Sequence, residues 1–304
     1  MTVATPAATT RSASPWWFRP ARPELLAYQR IATGLFAVGY LAIRFTHITG
    51  VRHFEADRFD PVGPVALLVD RPVAGSVVVG VTAVALASAV AVTVGWRYRI
   101  AAPVCALAVL WSLTYLHSWG VVLHTDNLLT LHLLVLAVVP AADALSLDER
   151  RGAGRWTPSP SYRWPLVVLG AITALGYVVA GWAKLRNGGL DWVDGEVLRA
   201  HVASDNLRKE LLGDLVSPLA GPLVGVSWIW GPMAVGALVL ELGAPLAVIV
   251  HRWARPLAVV AWTFHLAVLG IMSILFPYQL LGVALLPWVL AAHELEPTPD
   301  PEAP

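Results

Sequence analysis

The chain has 304 residues, of which 57% are hydrophobic and only 13% charged; a soluble domain carries about 25% charged residues. So little polar surface cannot coat a globule in water, and several runs reach the roughly 20 apolar residues that cross a bilayer. The net charge of +1 says nothing about partners, and no Lys/Arg block of nucleic-acid type occurs, so no nucleic acid is expected. The composition predicts an all-α, polytopic transmembrane helix bundle of about eight helices with an extracytoplasmic amphipathic segment.

Residues 1–24, "MTVATPAATTRSASPWWFRPARPE", are polar and Pro-rich and lack the apolar core and cleavage site of a signal peptide. They read as a disordered tail ending in an interfacial anchor, with Trp16, Trp17 and Phe18 beside Arg19 and Arg22. Eight spans follow within 25–292, at about 25–46, 73–95, 99–118, 121–141, 165–185, 232–250, 256–274 and 276–292. Pro277 in "LFPYQL" separates the last two as a hairpin. The sole cysteine, Cys105, lies inside an apolar run and reads as an inert thiol. Residues 293–304 are acidic, Pro-rich and expected to be disordered.

Arginines orient the stack. They occupy "WRYR" (96–99), the gap 142–164 and "HRWAR" (251–255), but not the gaps near 119 and 276. The positive-inside rule then puts both termini in the cytoplasm and the segments 47–72 and 186–231 outside. Ala/Val/Arg-rich, lysine-poor usage points to a high-G+C bacterium, hence a plasma membrane.

This orientation brings polar groups from separate spans to one outer level: Arg44 and His47, His117 and Trp119, His124 with Asp126 and Asn127, Lys184, and the Pro277–Gln279 break. Each has a plainer reading. Arg44 snorkels, His117 and Trp119 belong to an aromatic belt, and Asp126 and Asn127 cap the fourth helix. His132, deeper in that helix, reads as an interhelical hydrogen-bonder. Glu241 and His265 sit near mid-span, where an ionisable group costs about 2.5–3.5 kcal/mol to insert. Each therefore needs an internal partner or a water-filled pocket.

Several chemistries lack their motifs. H-x-D-x5-H (124–132) is not a helical metal-ligand pattern, and no metal is expected. There is no G-x-S-x-G, phosphate loop or dinucleotide fingerprint. No paired inverted repeat supports a transporter.

Lys184 is one of two lysines among 21 basic side chains. It stands at the end of a span in "YVVAGWAKLRNGGLDW". A lysine withdrawn from water can lose its proton and act as a base, whereas arginine stays charged. The plainer reading is a snorkelling anchor, with Arg186 as a second. The residues that follow form an amphipathic segment in which Leu190, Trp192, Val193, Val197 and Leu198 suit the interface plane. Such a segment either roofs a pocket or rests on the surface.

These residues resemble the HTTM family, which includes vitamin K-dependent gamma-glutamyl carboxylase. The carboxylase motif Y-F-x-A-G-V-K-K-L, then D-A-D-W-V-E-G-Y, is similar to the run through Tyr177, Ala180, Gly181, Lys184 and Leu185, then Asp191, Trp192, Val193, Asp194 and Gly195. The second motif lysine falls on Lys184; the first falls on Ala183. Phe264-His265 followed by Phe276 and Tyr278, His124 in "HTDNLLTL", and the "AADALSLD" run are looser matches.

The resemblance implies a pocket in which Lys184 is the base for a reduced quinone, vitamin K or menaquinol, with His124 and His265 orienting its oxygens. Asp126, Asn127, Trp192, Glu241 and Tyr278 would line the substrate and quinone site. It implies O2 and CO2 as co-reactants, in quinol oxygenation and epoxidation coupled to carboxylation. The carboxylase has a large lumenal region after its membrane domain, so a chain ending at Pro304 implies a small substrate or a partner subunit. The other reading the family implies is a non-catalytic membrane component assisting peptide maturation, export or a partner subunit.

Overall fold

In the computed structural model, residues 15–120, 126–151 and 156–293 are described, and among them there is no strand, only an isolated bridge between Ala21 and Ser159. The principal helices are α1 (Pro23–Gly50), α2 (Gly75–Val94), α3 (Tyr98–His117), α4 (Asn127–Leu136), α5 (Pro160–Gly188), α6 (Glu196–Leu212), α7 (Trp230–Gly243), α8 (Ala254–Met272) and α9 (Leu286–Ala292). Five helical stretches, those of α1, α2, α3, α5 and α8, are long and apolar enough to cross a membrane. With exposed side chains such as Ile43, Leu107, Leu175 and Val259 around the bundle, this is a multi-pass membrane protein.

Local chemistry sets the helix ends. The 20 residues of α2 carry no charge and span about 30 Å, the thickness of a hydrocarbon core. The helix ends at Gly95, whose φ of +65° no ordinary side chain adopts cheaply. Asp148 then starts α3, its two carboxylate oxygens accepting from the backbone N–H of Arg97 (2.9 Å) and Tyr98 (2.7 Å). This is what the "AADALSLD" run does: it caps a helix fifty residues away. The α5 helix begins with Ser159 as N-cap and Pro160 in its first turn.

The expected eight full spans are not all full. The fourth is helical from Asn127 to Leu136 among its described residues, about 15 Å, with 121–125 outside the description. The sixth is α7, which gives way at Pro245 to a short turn, Leu246–Ile249. The eighth splits into Pro277–Leu280 and α9 around Gly282 (φ +74°), because proline opens each half and the left-handed glycine cannot extend a helix.

Irregular backbone at membrane depth survives only where protein satisfies it. Here Thr173 donates to the Ala284 carbonyl (2.9 Å), Gln29 to Val283 (3.5 Å) and Trp262 to Leu280 (2.8 Å). The buried Arg163 at the start of α5 ties both ends of the described chain, donating to carbonyls of Arg19 and Pro20 and of Ala291 and His293. The two ends of the described chain therefore lie at one end of the bundle. Trp16, expected as an interfacial anchor, packs partly buried and donates to the Ile249 carbonyl.

The second lysine, Lys209, is buried on α6. Its ammonium donates to the Met272 carbonyl, Asn206 to Ile271 (3.3 Å) and Ser217 to Gly270 (2.6 Å). Together they cap the orphan carbonyls at the C-terminus of α8, where a cation also meets the negative end of the helix dipole. Lys209 also pairs with Asp205 at 2.8 Å. Burial pulls the Asp205 carboxyl upward, but its bonds to Lys209 and Arg208 outweigh this and hold it below the ordinary carboxylate value. A depressed folded value means stability that is present above the unfolded value, about 3.9, and is lost as pH falls through the folded one. Amide exchange in α6 should stay protected from neutral pH down to about 4 and open below it. Asp205→Asn should remove that pH dependence; an unchanged profile in the variant would assign it elsewhere.

Candidate functional site

One face of α5 carries Thr173, Tyr177, Gly181 and Lys184. Spacings of four, four and three place them in one line over about 16 Å of rise. Each meets a different neighbour, and together they form a polar ladder inside an apolar bundle.

At one end, the Lys184 ammonium donates to Oε1 of Glu241 on α7 at 2.5 Å. The Glu241 side chain is 3% exposed and that of Lys184 is 23% exposed. The pair thus sits at the margin of the core, with the lysine edge open. Gly181 makes the approach possible. A Cβ there would lie 3.0 Å from Glu241 Cβ and 3.1 Å from Leu242 Cδ2, so even an alanine would require these neighbours to give by a few tenths of an ångström. Trp192, just beyond α5, is buried against Ala234 and Leu238 of α7. Its ring centroid lies 5.5 Å from the Lys184 nitrogen, a cation–π distance.

Two turns back along α5, the Tyr177 hydroxyl shares a 2.8 Å hydrogen bond with Nε2 of His265 on α8. Phe276 packs against the same imidazole at 5.0 Å between centroids. One turn further, Thr173 Oγ1 lies 3.2 Å from His132 Nε2, and His132 Nδ1 bonds the Tyr278 hydroxyl at 2.8 Å. Tyr278 continues to Thr33 (3.3 Å), and Thr33 accepts from Gln29 (3.0 Å). This network joins α1, α4, α5 and the broken eighth segment, all buried.

Asp126 stands at the N-cap position of α4 but makes no side-chain cap bond. It is buried and accepts from the Tyr40 hydroxyl, which in turn accepts from Arg44 (2.7 Å). His117 Nε2 lies 3.5 Å from its other oxygen. Arg44 thus reaches inward to Tyr40, not only to an interface. Phe36 links this cluster to the previous one, its ring 5.6 Å from Tyr40 and 4.7 Å from Tyr278.

Of the expected site residues, Lys184, Glu241 and Trp192 come together, and His265 joins the same α5 face through Tyr177. Tyr278 belongs to the His132 network, Asp126 to the Tyr40 cluster, and Asn127 is exposed at the start of α4. His124 lies outside the described residues. Tyr177 stands in the sequence motif without a role of its own; its spacing of seven from Lys184, two helical turns on one face, is the signal for its place in the ladder. His132 is the interhelical hydrogen-bonder its sequence setting suggests. Of the amphipathic segment, Trp192 is buried, Val197 and Leu198 are partly buried, and Leu190 and Val193 are exposed.

Three buried polar atoms around the ladder have no hydrogen-bond partner among the described residues: Glu241 Oε2, Trp192 Nε1 and His265 Nδ1. They comprise an acceptor, a donor and a group that serves as either according to its tautomer. Buried polar atoms are nearly always satisfied, so such a group calls for water or a ligand.

The HTTM domain family model matches residues 18–289. The chain belongs to the HTTM family. No curated protein and no solved structure matches it. The match runs from the Trp16–Phe18 turn to the middle of α9, so the whole Lys184 ladder lies inside the HTTM domain.

Proposed function

We propose that this HTTM protein is a quinol-dependent membrane enzyme in which Lys184 is the proton acceptor, and that quinol oxygenation is coupled to carboxylation of a second substrate. The observation that carries the reading is the 2.5 Å Lys184–Glu241 bond, with an open lysine edge and an unpartnered carboxylate oxygen. When bound, a reduced quinone would give up two protons and, in becoming the epoxide, four electrons to O2, one oxygen atom staying in the epoxide and the other leaving as water. The unpartnered atoms suit a molecule with two ring oxygens: Trp192 Nε1 would donate to one, and Glu241 Oε2 or His265 Nδ1 would accept from a hydroxyl.

The residues do the proton work. Passing its proton to Glu241 gives Lys184 a free lone pair, since the two groups already share one hydrogen bond. Lys184 then accepts a hydroxyl proton and becomes an ammonium again beside a now neutral Glu241. The resulting positive charge stabilises the anion it has created. Tyr177 holds the His265 ring by Nε2, which fixes the direction of Nδ1. The exposed apolar side chains of α5, among them Val179 and Trp182, leave its flank open to a lipid-soluble substrate.

The bond itself also favours a second reading, in which the pair ties α5 to α7 in a non-catalytic component serving a peptide or partner subunit. Vesicles containing the purified protein, reduced menaquinone and O2 separate the two. The enzyme reading expects menaquinone epoxide above protein-free vesicles; epoxide no higher than in those vesicles would leave the structural tie.

A further inference from the structure

At the opposite end of the fold from Lys184, the turn between α2 and α3 borders two adjoining cavities of about 430 and 340 Å³ that share Arg99 and Asp148. The larger falls within the range of small-ligand sites, about 300–1,000 Å³. We propose that this cavity holds the headgroup of a membrane phospholipid whose phosphate carries a primary ammonium, an aminoethyl phosphodiester.

Charge argues for a zwitterion. Arg99 and Asp148 line both cavities, Arg97 only the smaller, and Asp143 and Glu149 only the larger. Asp148 is occupied by capping α3 with both oxygens. Tyr162 takes only Oδ2 of Asp143 (2.8 Å), and the Ser146 amide only Oε2 of Glu149 (3.4 Å). Arg97 also lies over the Trp96 ring at 5.4 Å and Arg99 attracts the Asp143 carboxylate, but neither guanidinium makes a hydrogen bond among the described residues, so their donors and two carboxylate oxygens remain for a ligand. Trp156 adds an aromatic wall, which suits an ammonium. Guanidinium is the side chain best shaped for phosphate.

Backbone geometry supports a built site. Arg97 has φ of +46°, a conformation that a bulky non-glycine residue adopts at a cost. Asp148 holds it there.

Position argues for a lipid over a soluble ligand. The turn follows the last residue of the 20-residue apolar α2, so it lies at the hydrocarbon edge. Val138, 80% exposed, lines the larger cavity and Ile100, 66% exposed, the smaller. Acyl chains meet such side chains; a soluble metabolite does not need them. By the arginine rule this is the cytoplasmic leaflet.

The test is calorimetric titration of the detergent-solubilised full chain with dihexanoyl phosphatidylethanolamine, dihexanoyl phosphatidylglycerol and O-phosphoethanolamine. The ethanolamine lipid should bind at least about tenfold tighter than the other two, a difference of one well-made charged contact. Arg97→Asn with Arg99→Gln should weaken both lipids; asparagine tolerates the positive φ, so the turn is retained. Asp143→Asn with Glu149→Gln should erase the preference for ethanolamine over glycerol while leaving glycerol binding in place. Equal binding of O-phosphoethanolamine and the lipid would make this a soluble-ligand site and overturn the proposal. So would arginine variants that bind like wild type.

Discussion

Glu241→Gln should lower the unfolding midpoint of the purified protein and abolish quinol turnover together. Breaking a buried pair by removing one partner costs about 3–5 kcal/mol, because it strands the other charge. Lys184 keeps some access to water, which places the expected loss at the lower end of that range. Lys184→Met in the same background removes the stranded charge, and the double variant should regain most of the lost stability. It should regain no activity. That split distinguishes a catalytic pair from a structural tie, since a tie works without its charges once neither is left stranded. Single-variant losses that simply add in the double variant would show that Lys184 and Glu241 are not coupled, against the bond between them.

Gly181→Leu should cost about 1–3 kcal/mol through overpacking at the α5–α7 contact, and should reduce turnover by separating Lys184 from Glu241. A Cβ at this position already lies within 3.0 Å of Glu241 Cβ, so a leucine cannot be seated without moving α7. Gly176→Leu is the control on the same helix. A Cβ there meets nothing within 4 Å, the residue is exposed, and leucine is the better helix former. Gly176→Leu should hold or raise the midpoint. Equal loss from both variants would mean that helix propensity, not the close approach, sets the result.

Hydropathy made the long spans legible because twenty uncharged residues such as α2 have no other stable setting. It overestimated the sixth and eighth because an average over a window does not register where Pro245 or Gly282 ends the hydrogen-bond ladder. Lys184 was legible through its motif, and Glu241 and His265 through the cost of their depth. Their pairing was not. Periodicity tells which face of a helix is polar but not which helix it faces, and Lys184 and Glu241 are 57 residues apart. The same limit hid Tyr177 as the partner of His265. Nor did composition explain why Lys209 is a lysine: its ammonium caps the end of α8, a role visible only once α6 and α8 are placed together. The sequence places the outer polar groups at one level and Lys184, His124 and His265 in one pocket; among the described residues Lys184 and His265 share the α5 face, Asp126 stands in its own cluster with Tyr40, and His124 lies outside the description.

The most direct measurement is epoxide formed from reduced menaquinone by wild type and Lys184→Arg in vesicles of the same lipid. Arginine can keep the bond to Glu241 and the positive charge, but it cannot give up its proton. The account predicts a folded Lys184→Arg variant that forms no epoxide while wild type does. Epoxide from Lys184→Arg at the wild-type rate would contradict Lys184 as the proton acceptor.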